Sequence, residues 1–549
     1  MKTPQFETLT LSKIVGGGQS LGTLKDGRKC FVWGGLPGET VKVRITKKKS
    51  HLVEGVVTEV LTPSPERVAP KDPTSYLSTS PWQIMDFTAE QHYKAALILE
   101  AFELSKVTLP NPIEIYTNNQ QYGYRNKVEF SWYGSTLEGG PEEQLDLAFF
   151  VRGGKGKVPV SDCSLLPLGI LALATEIRDF LQNAGVNARQ LKTLLIRCDQ
   201  QGNCAWQLYI KDAINEFMSE TEASGFSAQG GEIIYSDPRS PASRITKRLL
   251  RVGNPVLTDT ILGVPFSYAT EGFFQVNIPV YEQALRDMKE WVTKKPVVSS
   301  MQYVAEVRNG AIQPVGPAPS RPLPLPPALK PGLAEVPGSS LGSVSRKSAE
   351  VTPERRSLPS VTDKRVTIGG AAPASEEIFD FSEEGADRTA GPAASDLRAC
   401  KAGNDRSGKS YHVLDLYSGV GSIGLTIGGD SPELVEINED AVREMKRNIK
   451  ALGSSAKAIL APSEKALDYI TSDKTIIVDP PRAGLHKDVV ERLLETKPRR
   501  IIYLSCNPVT QARDIALLCP TYRVIHHRGY NFFPRTPHIE HLIVLDLAA

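Results

Sequence analysis

Cysteine is scarce in this chain of 549 residues: the seven thiols, Cys30, Cys163, Cys198, Cys204, Cys400, Cys506 and Cys519, are scattered and form no CxxC pair. That spacing argues against a disulfide framework and against a zinc ribbon, so the thiols are expected to be reduced and no metal site is expected. Long apolar runs are missing too. No stretch reaches the roughly 18 uninterrupted apolar residues of a membrane span, and MKTPQFETLT lacks the basic-then-apolar layout of a secretory signal. A cytoplasmic protein without membrane contact is the expectation. Nor does one sign of charge dominate, since 64 Lys and Arg face 62 Asp and Glu. Any nucleic-acid footprint must therefore be local.

What is present divides the chain into regions. Residues 1–60 hold ten Lys/Arg against five Asp/Glu and read as short strands broken by GGG, KDG and LPGE turns. This predicts a small OB-like β-barrel over 1–62, with Lys47, Lys48 and Lys49 at its rim for RNA or, equally, as a solvated hairpin tip. Residues 63–265 combine a helical segment, AEQHYKAALILEAFELSKV, with strand-like runs such as NKVEFSWYG and TLLIRCDQQGNCAWQLYI, predicting an α+β central domain. From 297 to 405 the composition changes: residues 301–400 contain 13 of the 40 prolines and few aromatics, which predicts a disordered insert. Residues 266–296 and 406–549 complete the chain. Past 405, near-continuous apolar strands alternate with helices, the pattern of a Rossmann-like α/β domain with a parallel sheet covered on both faces.

Four motifs in this last region carry chemistry. In VLDLYSGVGSIGL an apolar strand runs into Gly419 and Gly421, which allow a sharp turn and close approach to a ligand, and Glu436 lies at the end of the next strand, positioned for ribose hydroxyls. The letters fit a dinucleotide or S-adenosylmethionine. In IIVDPPRAG the strand ends in Asp479 and a rigid Pro-Pro turn, either a ligand-facing carboxylate or a simple strand stop. In IIYLSCNP, Cys506 follows the next strand and so stands at the same sheet rim, a nucleophile if its thiolate is favoured and otherwise an inert thiol. Finally, NFFPRTPHIEHLIVL holds His538 and Glu540 just before the last strand, where Glu540 can serve as a general base. Outside this region, EGFFQVN places Phe273 and Phe274, both expected in the core, beside the polar Gln275 and Asn277.

Taken in order, YGYRNKVEF, EGFFQVN, DLYSGVG, VDPPRAG, YLSCNP followed by ARD, and FFPRTPHIE resemble the RNA uracil-C5-methyltransferases that make 5-methyluridine in tRNA and ribosomal RNA. The N-terminal barrel resembles the TRAM domain of many members, and the resemblance spans nearly the whole chain except the insert. It implies S-adenosylmethionine as cofactor, an RNA substrate and no obligate protein partner, with a monomer expected. It further implies Cys506 as the nucleophile that adds to carbon 6 of the target uracil and Glu540 as the base that removes the carbon 5 proton. Gln275, Tyr417, Glu436 and Asp479 match the cofactor-binding positions, with Gly419 and Gly421 shaping the turn.

The chemistry agrees with that assignment. Uracil carbon 5 is too weak a nucleophile to take a methyl group directly, but thiolate addition at carbon 6 makes it an enolate carbon. A carboxylate in a closed site then removes the carbon 5 proton so that the thiolate can leave. The base has to be flipped out of its stack to be reached. Some departures stand out. Where some relatives carry a four-cysteine iron–sulfur site, SPERVAPKDPTSYLSTSPWQIM has no cysteine, and Cys163 alone resembles a ligand, so no cluster is expected. Ser422 stands where relatives often have Asn or Thr, Asn531 where the usual residue is acidic, and the short Gly421-to-Glu436 spacing predicts a clipped helix. Two rival readings are an exocyclic-nitrogen RNA methyltransferase, because DPPR resembles DPPY, and a non-catalytic RNA-binding factor.

Overall fold

In a computed structural model the protein is described over residues 4–50, 52–136, 143–154, 156–295 and 411–548. The expected insert, 297–405, lies outside the described residues. Strands Phe6–Ile14, Ser20–Thr23, Lys29–Trp33, Thr40–Lys48 and Leu52–Thr62 close into a barrel. Alternating apolar residues fill its interior, among them Leu9, Leu11, Val32, Val41, Val43 and Val53. Closure leaves no unpaired sheet edge. Lys47 and Lys48 end the fourth strand and Lys49 follows it, all exposed, with Lys47 paired to Glu54 at 3.0 Å.

A seven-stranded sheet follows, in the order Lys247–Gly253, Gly230–Tyr235, Cys204–Ile210, Leu191–Cys198, Lys127–Thr136, Glu143–Phe150, Lys157–Pro159. Its strands alternate, so one face gathers Phe130, Trp132, Leu194, Ile196, Trp206 and Leu208. Helix Leu168–Asn183 covers that face with Ile170, Leu173, Ile177 and Leu181. Within this sheet Cys198 and Cys204 sit directly opposite one another across a hairpin and form a disulfide, which corrects the expectation of uniformly reduced thiols. Their six-residue spacing carries no signal until the hairpin register is known.

The third sheet has eight strands. Lys457–Leu460, Glu433–Glu436, His412–Leu416, Lys474–Val478 and Arg500–Ser505 are parallel neighbours in that order. Glu540–Leu547 then pairs antiparallel with Arg500–Ser505, and Tyr522–Tyr530 antiparallel with it. Chain order reverses between His412–Leu416 and Lys474–Val478, so a crevice opens there at the carboxyl ends of the strands. One face is covered by helices Lys487–Thr496 and Pro508–Leu518 together with Ile98, Ala101 and Phe102 of helix Phe87–Leu104. The other is covered by helix Ile278–Thr293, helix Ser422–Ile427 and the hairpin Val256–Ile261/Val264–Ala269. Helix Ser422–Ile427 is only six residues long, in keeping with the short spacing of its sequence.

Besides the hairpin that begins at Val256, two further segments inside the 63–265 range thus pack with this third sheet. Strand Ile115–Tyr116 pairs with Tyr522–Tyr530, and helix Phe87–Leu104 lies against helix Pro508–Leu518. An apolar stripe says that a helix has a partner surface, not which sheet supplies it.

Candidate active site

At the crevice, the strand His412–Leu416 runs into a turn with three residues at positive φ: Tyr417 at +66°, Gly419 at +57° and Gly421 at +87°. The glycines serve different ends. A Cβ at Gly419 would meet nothing within 4 Å, leaving open space over the turn, whereas one at Gly424 would stand 2.1 Å from Leu434 Cδ2. Tyr417 packs against the core on one face of the sheet in a strained left-handed conformation, and its hydroxyl accepts a hydrogen bond from Ser463 Oγ at 2.8 Å. Glu436, at the end of the neighbouring strand, accepts from Gly419 N–H at 3.0 Å and Asn438 N–H at 2.7 Å. A carboxylate has about four acceptor positions, so two remain for ligand hydroxyls. The open cradle, the free lone pairs and the reversal point together fit a nucleoside cofactor.

Two further residues shape this turn. Ser422 Oγ lies 2.9 Å from the Tyr281 hydroxyl and is thereby tied to helix Ile278–Thr293. Asp415, fully buried beneath the turn, accepts from Gly424 N–H at 2.9 Å while its Oδ1 has no partner. Burial pushes its carboxyl up to about 8. It stands in the DLYSGVG motif, but nothing in its residue type announces a buried anchor.

The reactive end is set by strand register. Ser505 is paired with His541 at the end of the antiparallel ladder, so Cys506 and Glu540, the next residues on the two segments, meet at the same rim, where the Glu540 charge acts on the Cys506 thiol. Asp479 follows the adjoining strand Lys474–Val478. The three groups share one electrostatic field. Burial raises the Cys506 thiol to about 11, with the charges of Glu540 and Asp479 adding to it and Arg482 opposing. Glu540 is buried and its carboxyl is pushed well above the usual range, first by burial, then by Asp479. Burial also lifts Asp479 to about 7. Arg482 donates from Nη2 to His538 Nδ1 at 3.1 Å, and His538, held down to about 4 by burial and Arg482, is a neutral acceptor there. Arg482 lies within DPPR yet the sequence reading assigns it no role.

Helix Pro508–Leu518 locks these loops together. Asn507 Nδ2 and Thr510 Oγ donate to Arg482 O at 2.8 and 3.1 Å, Gln511 Nε2 donates to Tyr503 O and His541 O at 3.0 and 2.9 Å, and Asp514 Oδ2 accepts from Leu485 N–H at 2.8 Å and the Tyr503 hydroxyl at 2.9 Å. The loop leading to Glu540 is anchored from the other side. Asn531 donates to Glu90 Oε1 at 2.9 Å and accepts from Lys94 Nζ at 2.5 Å, while Glu90 also accepts from Arg535 N–H at 3.0 Å. Glu90 and Lys94 are themselves paired at 3.0 Å with both side chains buried.

Gln275 belongs to the EGFFQVN segment. It lines a cavity of about 530 Å³ together with Arg125, Lys127, Arg197, Phe273 and Phe533. The segment is joined to the Glu540 loop by Asn277 Nδ2, which donates to Phe532 O at 3.2 Å. Phe274 is buried, but Phe273 is 73% exposed, which corrects its expected place in the core. The two adjacent aromatics end up in opposite environments: Phe274 packs with Phe266 and Tyr268 in the core, while Phe273 lines the cavity.

Residues 465–547 match the family described as tRNA (Uracil-5-)-methyltransferase, and residues 10–58 match the TRAM domain. An uncharacterized RNA methyltransferase of Nitratidesulfovibrio vulgaris is 23% identical over 98% of this chain and 95% of its own length. An uncharacterized RNA methyltransferase of Nanoarchaeum equitans is 44% identical, over 24% of this chain and 30% of that protein. The tRNA (uracil(54)-C(5))-methyltransferase of Pyrococcus abyssi is 39% identical, over 23% of this chain and 31% of that protein. The chain therefore aligns with less than a third of the length of these last two relatives. The solved structure of Pyrococcus abyssi tRNA (uracil-54, C5)-methyltransferase in complex with S-adenosyl-L-homocysteine has a TM-score of 0.63 at 18% identity, covering 98% of this chain and 100% of that one. The two share a fold.

Proposed function

We propose that the chain is an S-adenosylmethionine-dependent RNA (uracil-5-)-methyltransferase that methylates carbon 5 of a uridine in tRNA or ribosomal RNA through a covalent adduct on Cys506. The observation that carries this reading is the register that brings Cys506 and Glu540 to the same end of two paired strands, in one field with Asp479. S-adenosylmethionine, when bound, supplies the methyl group as an electrophile. Glu436 would hold its ribose hydroxyls, with Gln275, Tyr417, Gly419, Gly421 and Asp479 as the other residues assigned to the cofactor.

Each remaining step falls to a residue of this chain. The Cys506 thiol first gives its proton to water; as the thiolate Sγ then bonds to carbon 6, the carbon 5–carbon 6 π pair moves into the ring enolate. Arg482 is the cation that favours the thiolate. Once carbon 5 carries the methyl group, Glu540 as carboxylate takes the carbon 5 proton, the π bond re-forms, and the carbon 6–Sγ bond breaks to return the thiolate. The barrel and the central sheet are assigned to RNA binding and to presenting the flipped uridine.

Incubation with S-adenosylmethionine and RNA containing 5-fluorouridine tests the adduct, because fluorine at carbon 5 cannot leave as a proton. The wild type should form a denaturation-stable protein–RNA species and Cys506→Ala none. Methylation that survives Cys506→Ala would instead favour transfer to an exocyclic nitrogen.

A further inference from the structure

Although the chain is balanced at 64 basic and 62 acidic residues, the segment 238–254, PRSPASRITKRLLRVGN, carries Arg239, Arg244, Lys247, Arg248 and Arg251 with no acidic residue. All five are exposed. The segment forms a turn and then Lys247–Gly253, the edge strand of the seven-stranded sheet. An irregularity in its pairing lies between Arg248, opposite Ile234, and Leu250, opposite Ile233. The extra residue shifts the alternation, so Arg251, opposite Glu232, points to the same face as Arg248. Pairing across the sheet puts Gln207, Leu195 and Glu129 in register with Glu232, on that same face. This is the face away from helix Leu168–Asn183.

Its polar side chains hold the EGFFQVN segment. Arg248 Nη2 donates to Glu271 Oε1 at 2.6 Å, Lys127 Nζ to Glu271 O at 2.9 Å, and Arg197 to Gly272 O at 2.6 Å and Phe274 O at 3.0 Å. Ser243 Oγ donates to Glu129 Oε2 at 2.9 Å, fastening the basic turn to the strand whose Lys127 and Glu129 line the 530 Å³ cavity. Arg248 is neutralised by Glu232 and Glu271. Arg239, Arg244, Lys247 and Arg251 make no ion pair among the described residues.

We infer that this turn and edge strand are a phosphate track that guides an RNA strand toward the cavity beside Gln275, with Arg239, Arg244, Lys247 and Arg251 meeting backbone phosphates. The inference rests on the RNA reading above and deepens it by naming a surface of the central domain. Its four cations are exposed and unpaired among the described residues, Arg251 on the sheet face away from helix Leu168–Asn183, Lys247 at the start of the edge strand and Arg239 and Arg244 on the turn, and Ser243 of that turn is bonded to Glu129 of the cavity that also holds Arg125, Lys127 and an exposed aromatic. Edge-strand cations can also serve only to prevent sheets from pairing edge to edge, a role that needs no RNA.

The two are separated by anisotropy titrations of labelled unfractionated tRNA and ribosomal RNA fragments at several salt concentrations, with S-adenosyl-L-homocysteine present. Each lost phosphate contact to a single strand lowers the slope of log K against log[salt] by about 0.7, so Arg244→Gln/Lys247→Gln/Arg251→Gln should lower it by about 2 and weaken binding about tenfold to 100-fold near 0.1 M salt. Affinity for S-adenosyl-L-homocysteine should be unaltered. The comparison variant Arg443→Gln/Lys446→Gln/Lys450→Gln removes the same charge from helix Glu439–Leu452 and should change the slope little. An unchanged slope in the edge variant, an equal loss in the comparison variant, or self-association with intact RNA affinity each overturns the track. The readout needs no methyl transfer, so failure to trap 5-fluorouridine RNA would sink the adduct while leaving this result standing.

Discussion

Cys506 is a poor nucleophile at rest: with its thiol raised to about 11, only a small fraction is thiolate at neutral pH. Its neighbours pull in opposite directions, which yields a prediction with two signs. Asp479, lifted to about 7, is largely ionised at pH 8 and disfavours the thiolate, whereas Arg482 favours it. Asp479→Asn should therefore lower the Cys506 pKa and speed alkylation by iodoacetamide at pH 8, and Arg482→Gln should slow it. The shift expected from one neighbouring charge is up to about one unit, or about tenfold in rate. In the wild type the alkylation rate should rise with pH until it levels near 11. If both variants move the rate the same way, the shared field is wrong. Glu540 acts later, so Glu540→Gln should still form the adduct on ordinary uridine RNA and accumulate it, because the carbon 5 proton has no base. Denaturing gels would show a persistent protein–RNA band and product formation reduced by about 100-fold or more.

At the scale of elements, the loop that delivers Glu540 depends on a helix more than 400 residues earlier in the chain. Lys94 neutralises Glu90 in a site closed to solvent, and Asn531 bridges them by donating to one and accepting from the other. Removing one member of a buried pair leaves the other charge short of a partner, and Glu90 would keep only Arg535, 3.9 Å away, so Lys94→Met should cost up to about 3–5 kcal/mol in urea unfolding. Adding Glu90→Gln should recover part of the loss, and a single variant as stable as wild type would contradict the clamp. This pair also marks where sequence reading stopped. The periodicity of AEQHYKAALILEAFELSKV predicts a helix, and one forms at Phe87–Leu104, but a charged pair on such a helix reads as its wet face. The parallel strands ending at Leu416, Val478 and Ser505 are legible because doubly covered strands are continuously apolar. Strand Ile115–Tyr116 is too short to have a period, and Arg482 is seen as a participant only once the Asn507 and His538 contacts hold it at the rim.

At the scale of the molecule, the barrel and the catalytic loop touch at a point where a single glycine is required. Gly18, at φ +91°, would place a Cβ 2.2 Å from Pro537 Cβ, and Pro537 lies three residues before Glu540. Trp82 braces the junction from both sides: its indole N–H donates to Gly18 O at 3.0 Å and its backbone N–H to Arg535 O at 3.1 Å. Pressure at Gly18 must therefore be relieved by moving either the barrel turn or the loop that aims Glu540. Displacing a catalytic group by about 1 Å can cost about 100-fold in rate. Gly18→Val should lower kcat on RNA about tenfold to 100-fold with affinity for S-adenosyl-L-homocysteine unaltered, since Gly419 lies in the turn after His412–Leu416 and Glu436 at the end of the neighbouring strand. Gly16→Ala, two residues away where a Cβ meets nothing within 4 Å, should leave kcat unchanged. Single-turnover methylation with trapped-adduct counting would locate the loss: if Gly18→Val retains the wild-type rate of adduct release, the barrel does not position the base through this contact.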